Sequence, residues 1–182
     1  MKSARRRSRE FAVQALYQWQ LAGQSLADIE KQYAAAEGFD KADAKLFSLL
    51  VSGVIKHHES LEEKLVPNLD RLWIEVSPIE RAVLLIAAHE LSAMADTPYR
   101  VIINEAIELA KSFGGTDGHK YVNGVLDKLA AQVRGDEIAS QAANPATAAK
   151  PRAVQKTPTV VTKARRVARV PAKVTTKSSA KS

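Results

Sequence analysis

The sequence of 182 residues contains no cysteine. Disulfide bonds, metal sites built on thiolates and catalysis by a cysteine nucleophile are therefore excluded. A chain without such links is held together by its apolar core, and 46% of its residues are hydrophobic. That share is sufficient for one domain of ordinary size.

Long apolar runs are also missing from the sequence. The longest is AVLLIAA at residues 82–88, whereas a membrane-spanning helix requires about 20 apolar residues. The basic N-terminus is not followed by the apolar segment of a signal peptide, because Glu10, Gln14 and Gln18 interrupt it. We therefore expect a soluble, cytoplasmic protein.

Acidic residues are scarce in the last quarter of the chain. Residues 136–182 carry 10 basic and 2 acidic side chains, a net charge of +8, whereas residues 1–135 carry 17 basic and 18 acidic, a net charge of −1. Aromatic residues and glycine are absent after residue 138, which is typical of disorder. We predict a globular domain at residues 1–135 and a disordered basic tail at residues 136–182. Nonspecific RNA binding and simple solubilisation are both open as roles for the tail.

Helix signals dominate the predicted domain, and no segment alternates convincingly at the two-residue period of a strand. We predict an all-α domain of about seven helices. The strongest start signal is the capping box Ser77-Pro78-Ile79-Glu80. Other helices are expected at a short segment around residues 60–69 and after Ser25, Asp40, Thr97-Pro98 and Asp117.

The first predicted helix, ARRRSREFAVQALYQWQLAG at residues 4–23, carries arginines where the helix dipole disfavours them. Each cation there costs roughly 0.3–1 kcal/mol, so something other than helix stability favours them. Guanidinium groups match phosphate oxygens bidentately, and Tyr17 borders the polar strip, where an aromatic ring suits stacking of an unpaired base. A solvated, frayed terminus is the alternative. The wide apolar arc of this helix predicts a central position.

Motifs for catalysis or cofactor binding are not found. GGTDGHK, residues 114–120, follows a helix rather than a strand and lacks the Ser or Thr that follows the lysine in a phosphate-binding loop. His57 and His58 are adjacent, so on a helix they point about 100° apart and cannot share a metal ion as an i, i+4 pair does. We predict no catalytic activity, no cofactor and no bound metal.

Three segments together resemble the NusB family of bacterial transcription antitermination factors. They are ARRRSREFAVQALYQWQL (4–21), IERAVLLIAAHEL (79–91) and VIINEAIELAKSFGGTDGHKYVNGVLDKLA (101–130). The resemblance implies two small helical bundles around the first helix and a function without catalysis. It also implies pairing with NusE, a small-subunit ribosomal protein, and binding of single-stranded boxA RNA during ribosomal RNA transcription. RNA polymerase and other Nus factors are the further partners that it implies.

The resemblance implies RNA-binding residues at the start of the first helix and at the start of the last helix, which in the family lies beside that terminus. They are Lys2, Arg5, Arg6, Arg7, Arg9, Gln14 and Tyr17 in the first helix and Lys120, Tyr121 and Asn123 in the last.

Three residues allow more than one interpretation. Asp117 lies in the loop before the last helix and is favoured as its N-cap. Tyr121 either stacks on a base or closes the core. Glu80 belongs to a capping box by its spacing and matches a position at which the family meets NusE, and both roles are compatible if the carboxylate also faces a basic partner.

Two other protein classes are alternatives to an RNA-binding antitermination factor. A homodimeric helical interaction protein without an RNA role is the alternative function. RNA methyltransferases also contain NusB-like domains, but this chain has neither a glycine-rich cofactor unit nor a catalytic cysteine.

Overall fold

The computed structural model describes residues 2–143 and contains α-helices without strands in that range, so the predicted all-α class is confirmed. The helices are α1 (Ala4–Ala22), α2 (Leu26–Ala34), α3 (Ala44–Leu65), α4 (Pro78–Ala93), α5 (Tyr99–Phe113), α6 (Gly118–Val133) and α7 (Gly135–Ala143). Short 3₁₀ turns lie at Phe39–Lys41, Val66–Asn68 and Trp73–Glu75. Within this part of the chain, no helix combines the length and apolar character needed to span a membrane.

Helix α1 lies at the centre of the fold. Ala12, Val13, Ala15 and Leu16 are fully buried, and the helix contacts α2, α3, α4 and α5. Helices α2 and α3 pack on each other, α4, α5 and α6 pack on one another, and the two groups are joined by α1 and by direct packing of α3 on α4. An apolar arc that spans most of the circumference is explained by contacts on several sides.

Two predicted helix starts are confirmed by their hydrogen bonds. Ser25 Oγ accepts the backbone N–H of Asp28 at 3.2 Å and caps α2. Ser77 Oγ accepts the N–H of Glu80 at 3.2 Å, and Glu80 Oε2 accepts the N–H of Ser77 at 3.4 Å. These two reciprocal bonds form the capping box at the start of α4.

The helix start predicted at Asp40 is wrong, because α3 begins at Ala44. Asp43 is the cap, and its Oδ1 accepts the N–H of Leu46 at 3.0 Å. The backbone carbonyl of Asp43 also accepts a hydrogen bond from Ser8 Oγ of α1 at 2.7 Å. A tertiary contact with α1 therefore fixes where α3 starts.

The short helix predicted around residues 60–69 is part of α3. Helix α3 continues to Leu65, with one break of helical geometry at His57 (φ −120°, ψ 16°). Leu61 and Leu65 are buried and extend the apolar face of the helix beyond the break. Burial of this face keeps the segment helical.

Helix α7 crosses the domain boundary predicted at residue 135. Arg134 Nε donates to the carbonyl of Leu91 at 2.6 Å, and Glu137 Oε1 accepts the N–H of Tyr99 at 3.1 Å. Arg134, at the end of α6, also lies 3.0 Å from Glu137, so the two side chains attach the start of α7 to the end of α4 and to the start of α5. Residues 136–143 of the predicted tail are therefore helical. The rest of the predicted tail, residues 144–182, lies outside the described residues.

Candidate nucleic-acid interface

One polar strip of α1 carries most of the residues predicted for its RNA-binding face. Lys2, Arg6, Glu10, Gln14 and Tyr17 recur at helical spacing on one side of the helix. Gln14 is exposed and Tyr17 is 37% exposed, so an amide and an aromatic ring are accessible together. Glu10 lies within this strip and was missed as a functional neighbour by the sequence analysis.

Carboxylates bind two of the predicted cations in the strip. Lys2 Nζ lies 2.7 Å from Glu10 Oε1, and Arg6 Nε lies 3.6 Å from the same oxygen. Arg6 also donates to Glu108 Oε2 of α5 at 3.3 Å. The hydrogen bond from Lys111 and then that from Arg6 hold the pKa of Glu108 below its ordinary value. The positive charge of Lys2 and Arg6 is therefore partly neutralised within the protein.

Arg5 and Arg7 differ from their neighbours in lacking such partners. Neither guanidinium forms a hydrogen bond or an ion pair within residues 2–143. Arg5 is exposed and Arg7 is half-buried. These two side chains are the arginines of α1 that can meet a phosphate group without first leaving a carboxylate.

Arg9 does not belong to the accessible set, which corrects its prediction as an RNA contact. The residue is 3% exposed, and its guanidinium binds Glu90 of α4 through two hydrogen bonds of 3.0 and 2.7 Å. Burial alone would lower the pKa of Arg9, but the bonds and charge of Glu90, together with Glu105, raise it overall. Arg9 precedes the buried Val13 and Leu16 by four and seven residues, a spacing that could have identified it as an interior residue.

Asp117 is not a side-chain cap, contrary to the favoured interpretation. It stands at the N-cap position of α6, but its side chain makes no capping hydrogen bond. Its Oδ1 instead lies 2.8 Å from Lys120 Nζ, and both side chains are highly exposed. This i, i+3 ion pair takes the carboxylate away from the backbone N–H groups of the helix.

Tyr121 is half-buried beneath an arginine that the sequence analysis did not identify. The guanidinium carbon of Arg71 lies 4.2 Å from the centroid of the Tyr121 ring, and Arg71 Nε donates to Asp70 at 2.8 Å. Burial raises the pKa of Tyr121, although the charge of Arg71 acts in the opposite direction. Tyr121 thus packs on the core and also supports an exposed cationic plane. No local sequence signal links residues that lie so far apart along the chain.

Glu80 lies close to the start of α6. A Cβ on Gly118 would be 2.5 Å from Glu80 Oε1, so the glycine allows the carboxylate to approach. Glu80 lines a cavity of about 530 Å³ together with Arg71, Lys120 and Tyr121. The predicted partner-binding residue and two predicted RNA-binding residues therefore share one cavity. Asn123, the third residue of this group, donates to Asp127 Oδ2 at 3.1 Å.

The two predicted groups have separate neighbours. The start of α1 contacts Glu90, Glu105 and Glu108, whereas the start of α6 lies beside Arg71 and Glu80. Within residues 2–143, no hydrogen bond or ion pair joins the two groups. The same residues contain no cluster of three or more His, Asp and Glu side chains suited to a metal ion.

Comparisons with known proteins agree with this architecture. The model of the NusB family matches residues 6–131. The transcription antitermination protein NusB of Paraburkholderia phymatum is 57% identical over 142 residues, which cover 78% of this chain and 98% of the relative.

Two solved structures share the fold. T. maritima NusB superimposes with a TM-score of 0.65 at 29% identity and covers 76% of this chain and 99% of its own. A second structure, of antitermination factors NusB and NusE in complex with dsRNA, has a TM-score of 0.60 at 21% identity and covers 68% of this chain and 93% of its own.

Proposed function

The chain belongs to the NusB family, and we propose that it is a non-catalytic transcription antitermination factor acting in the cytoplasm. In this role it pairs with NusE and binds boxA-type single-stranded RNA during ribosomal RNA transcription, together with RNA polymerase and other Nus factors. The observation that carries this proposal is the family match over residues 6–131, which includes Arg6, Arg7 and Arg9 of α1. The charges and exposure of two surfaces support it.

The start of α1 is the proposed principal RNA contact. Arg5 and Arg7 bind phosphate groups directly, because their guanidinium groups have no carboxylate partner within residues 2–143. Lys2 and Arg6 bind by exchanging a carboxylate for a phosphate. An exposed ion pair contributes only about 0–1 kcal/mol, so Lys2, whose side chain is 53% exposed, leaves Glu10 at little cost, whereas the less exposed Arg6 leaves its carboxylates at a higher cost. Tyr17 and Gln14 then meet a base beside the bound backbone.

The start of α6 is the second proposed contact. Lys120 supplies a phosphate-binding cation, and Asn123 supplies an amide that can read the edge of a base. Tyr121 acts through Arg71, whose side chain is 44% exposed. Because unpaired bases stack on guanidinium planes as well as on aromatic rings, the layered pair of Arg71 and Tyr121 forms a stacking surface for one base.

Glu80 is the proposed contact for NusE. Its carboxylate caps α4 through Ser77 and remains only half-buried, so the second oxygen can face a cationic partner. A ribosomal protein is basic because it binds ribosomal RNA. Residues 10–135 of this chain carry 12 basic and 18 acidic side chains, and their net charge of −6 favours its approach.

Fluorescence anisotropy with labelled boxA RNA tests the function. The full chain is titrated against boxA and a scrambled control of the same length, each with and without NusE, at two salt concentrations. We expect preference for boxA, a larger preference when NusE is present, and weaker binding at high salt. Equal binding of both RNAs in all conditions would contradict the proposal.

A homodimeric interaction protein without an RNA role is the second candidate. The exposed side chains of Leu72 and Ile74, at 69% and 76%, favour it because large apolar side chains in one exposed segment often mark a protein contact. Light scattering distinguishes the two candidates. A dimer that persists when NusE is added and that binds no RNA would support the second, whereas a one-to-one complex with NusE supports the first.

A further inference from the structure

A second cavity, of about 580 Å³, lies among α1, α3, α4 and the connection from α4 to α5. Its lining contains one carboxylate, Asp96, against four side chains that carry or can acquire positive charge. These four are Arg5, Lys56, His57 and His89. Apolar side chains, among them Leu49 and Met94, complete the lining, and the charged groups favour an anion over a cation.

Lys56 and His57 belong to one face of α3. They follow Ser52 and Gly53 by four residues each, about one helical turn, and all four residues line the cavity. The next residue, His58, packs instead against Trp19 with 5.2 Å between ring centroids and lines a different cavity. The two adjacent histidines therefore serve different parts of the molecule.

His89 reaches the cavity because Gly53 leaves room for it. A Cβ on residue 53 would overlap Nε2 of the His89 ring. The imidazole is half-buried, and burial followed by the charge of His57 lowers its pKa, while Glu90 acts in the opposite direction. An anion in the cavity would supply the negative charge that favours the protonated ring.

We propose that this cavity binds a phosphate group of the RNA strand that contacts the start of α1. Arg5 belongs both to the start of α1 and to the cavity, since it is one of the accessible arginines of α1 and also lines the cavity. A polymer with repeated phosphates can occupy both at once, and guanidinium, ammonium and imidazolium groups all donate charge-assisted hydrogen bonds to phosphate. The inference rests on the proposed RNA-binding function and extends it by one binding site.

The first test compares two lysines of α3 in the full chain. Lys56→Gln removes a cation from the cavity, and Lys45→Gln removes an exposed cation from the same helix outside it. Anisotropy with boxA RNA is measured from about 50 to 200 mM salt. Loss of one phosphate contact lowers the salt slope by about 0.7. The ratio of the RNA affinity of the unmodified chain to that of Lys56→Gln should therefore fall about 2.5-fold across this range. Lys45→Gln is expected to match the unmodified chain.

The outcomes separate this inference from the function on which it rests. Equal slopes for Lys56→Gln and the unmodified chain would overturn the cavity as a phosphate site and leave RNA binding at α1 intact. Absence of RNA binding by the unmodified chain would overturn both. If polyglutamate binding depends on Lys56 and RNA binding does not, the occupant is an acidic protein segment and the proposal is wrong.

A pH series provides the second test. The charged groups around His89 are Arg5 on α1, Lys56 and His57 on α3, Glu90 on α4 and Asp96 after α4. A bound phosphate favours protonated imidazole, so RNA affinity should rise as the pH falls from about 7.5 to about 5.5. The double variant His57→Gln/His89→Gln should lose part of this rise, and Gly53→Ala, which displaces the His89 ring without changing any charge, should lose a smaller part. An unchanged pH response in the double variant would contradict the proposal.

Discussion

The starts of α1 and α6 both combine cations with carboxylates, but they do so over different ranges. At α1, two pairs connect separate helices, since Arg6 binds Glu108 of α5 and Arg9 binds Glu90 of α4, while Lys2 and Arg6 also pair with Glu10 of α1. At α6 the ion pairs are local, between Lys120 and Asp117 and between Arg71 and Asp70. Within residues 2–143, ion pairs therefore connect the first surface to other helices, whereas those of the second surface join near neighbours in sequence.

The comparison shows that burial, and not residue type, separates the roles of arginines in one helix. Arg5 is exposed and has no ion-pair partner among residues 2–143, whereas Arg9, one turn later, is 3% exposed and held by two hydrogen bonds. A buried ion pair cannot be exchanged for a phosphate without leaving a carboxylate alone in the interior. The α1 cluster therefore contains a structural member beside the proposed RNA contacts.

The largest expected effect is loss of stability on replacing Arg9. Arg9→Ala leaves Glu90, which is 1% exposed, as an unpaired buried charge, so we expect unfolding to become easier by about 3–5 kcal/mol. Urea denaturation followed by circular dichroism measures the change. The double variant Arg9→Ala/Glu90→Ala should recover part of the loss. If Arg9→Ala instead weakened RNA binding at unchanged stability, the contrast between Arg5 and Arg9 would be removed.

The second effect concerns Arg6 and Arg7, two of the proposed RNA contacts of α1. Arg6→Ala/Arg7→Ala should weaken boxA binding without altering thermal melting. Loss of two phosphate contacts lowers the salt slope by about 1.4. The affinity lost by the variant is therefore about 25-fold larger at 0.1 M than at 1 M salt. Lys31→Ala/Lys45→Ala removes the same charge from exposed positions elsewhere and serves as the control. A lowered melting temperature in the arginine variant would assign these side chains to the structure.

The sequence predicted features that depend on local contacts and missed those that depend on distant ones. The capping box at Ser77 and the apolar arc of α1 are local patterns, and both are present. The start of α3 at Asp43 depends on a bond from Ser8, and the role of Arg9 depends on Glu90. Arg71 over Tyr121 is likewise a contact between separate elements. Spacing along one helix cannot reveal the partner on another.

A third effect tests whether the start of α6 also serves a protein partner. Glu80→Gln keeps an oxygen that can accept the N–H of Ser77, so the capping box remains possible. Loss of the charge should lower affinity for NusE about fivefold, as expected for one exposed ion pair. Titration calorimetry measures the affinity, and circular dichroism checks that helix content is retained. Glu80→Lys should have a larger effect on binding. Unchanged affinity in both variants would remove Glu80 from the partner-binding surface.

The smallest expected effect distinguishes exchange of ion pairs from direct binding at α1. Glu108→Gln removes a carboxylate that binds Arg6 at 3.3 Å and lies near the proposed path of the RNA. If Arg6 must leave Glu108 before it meets a phosphate, this variant should bind boxA about two- to threefold more tightly. Glu59→Gln, an exposed carboxylate on α3, controls for the change in net charge. Equal gains in RNA affinity in both variants would attribute the effect to general electrostatics. A gain confined to Glu108→Gln would show that Arg6 of α1 stays bound to Glu108 of α5 until an RNA phosphate replaces the carboxylate.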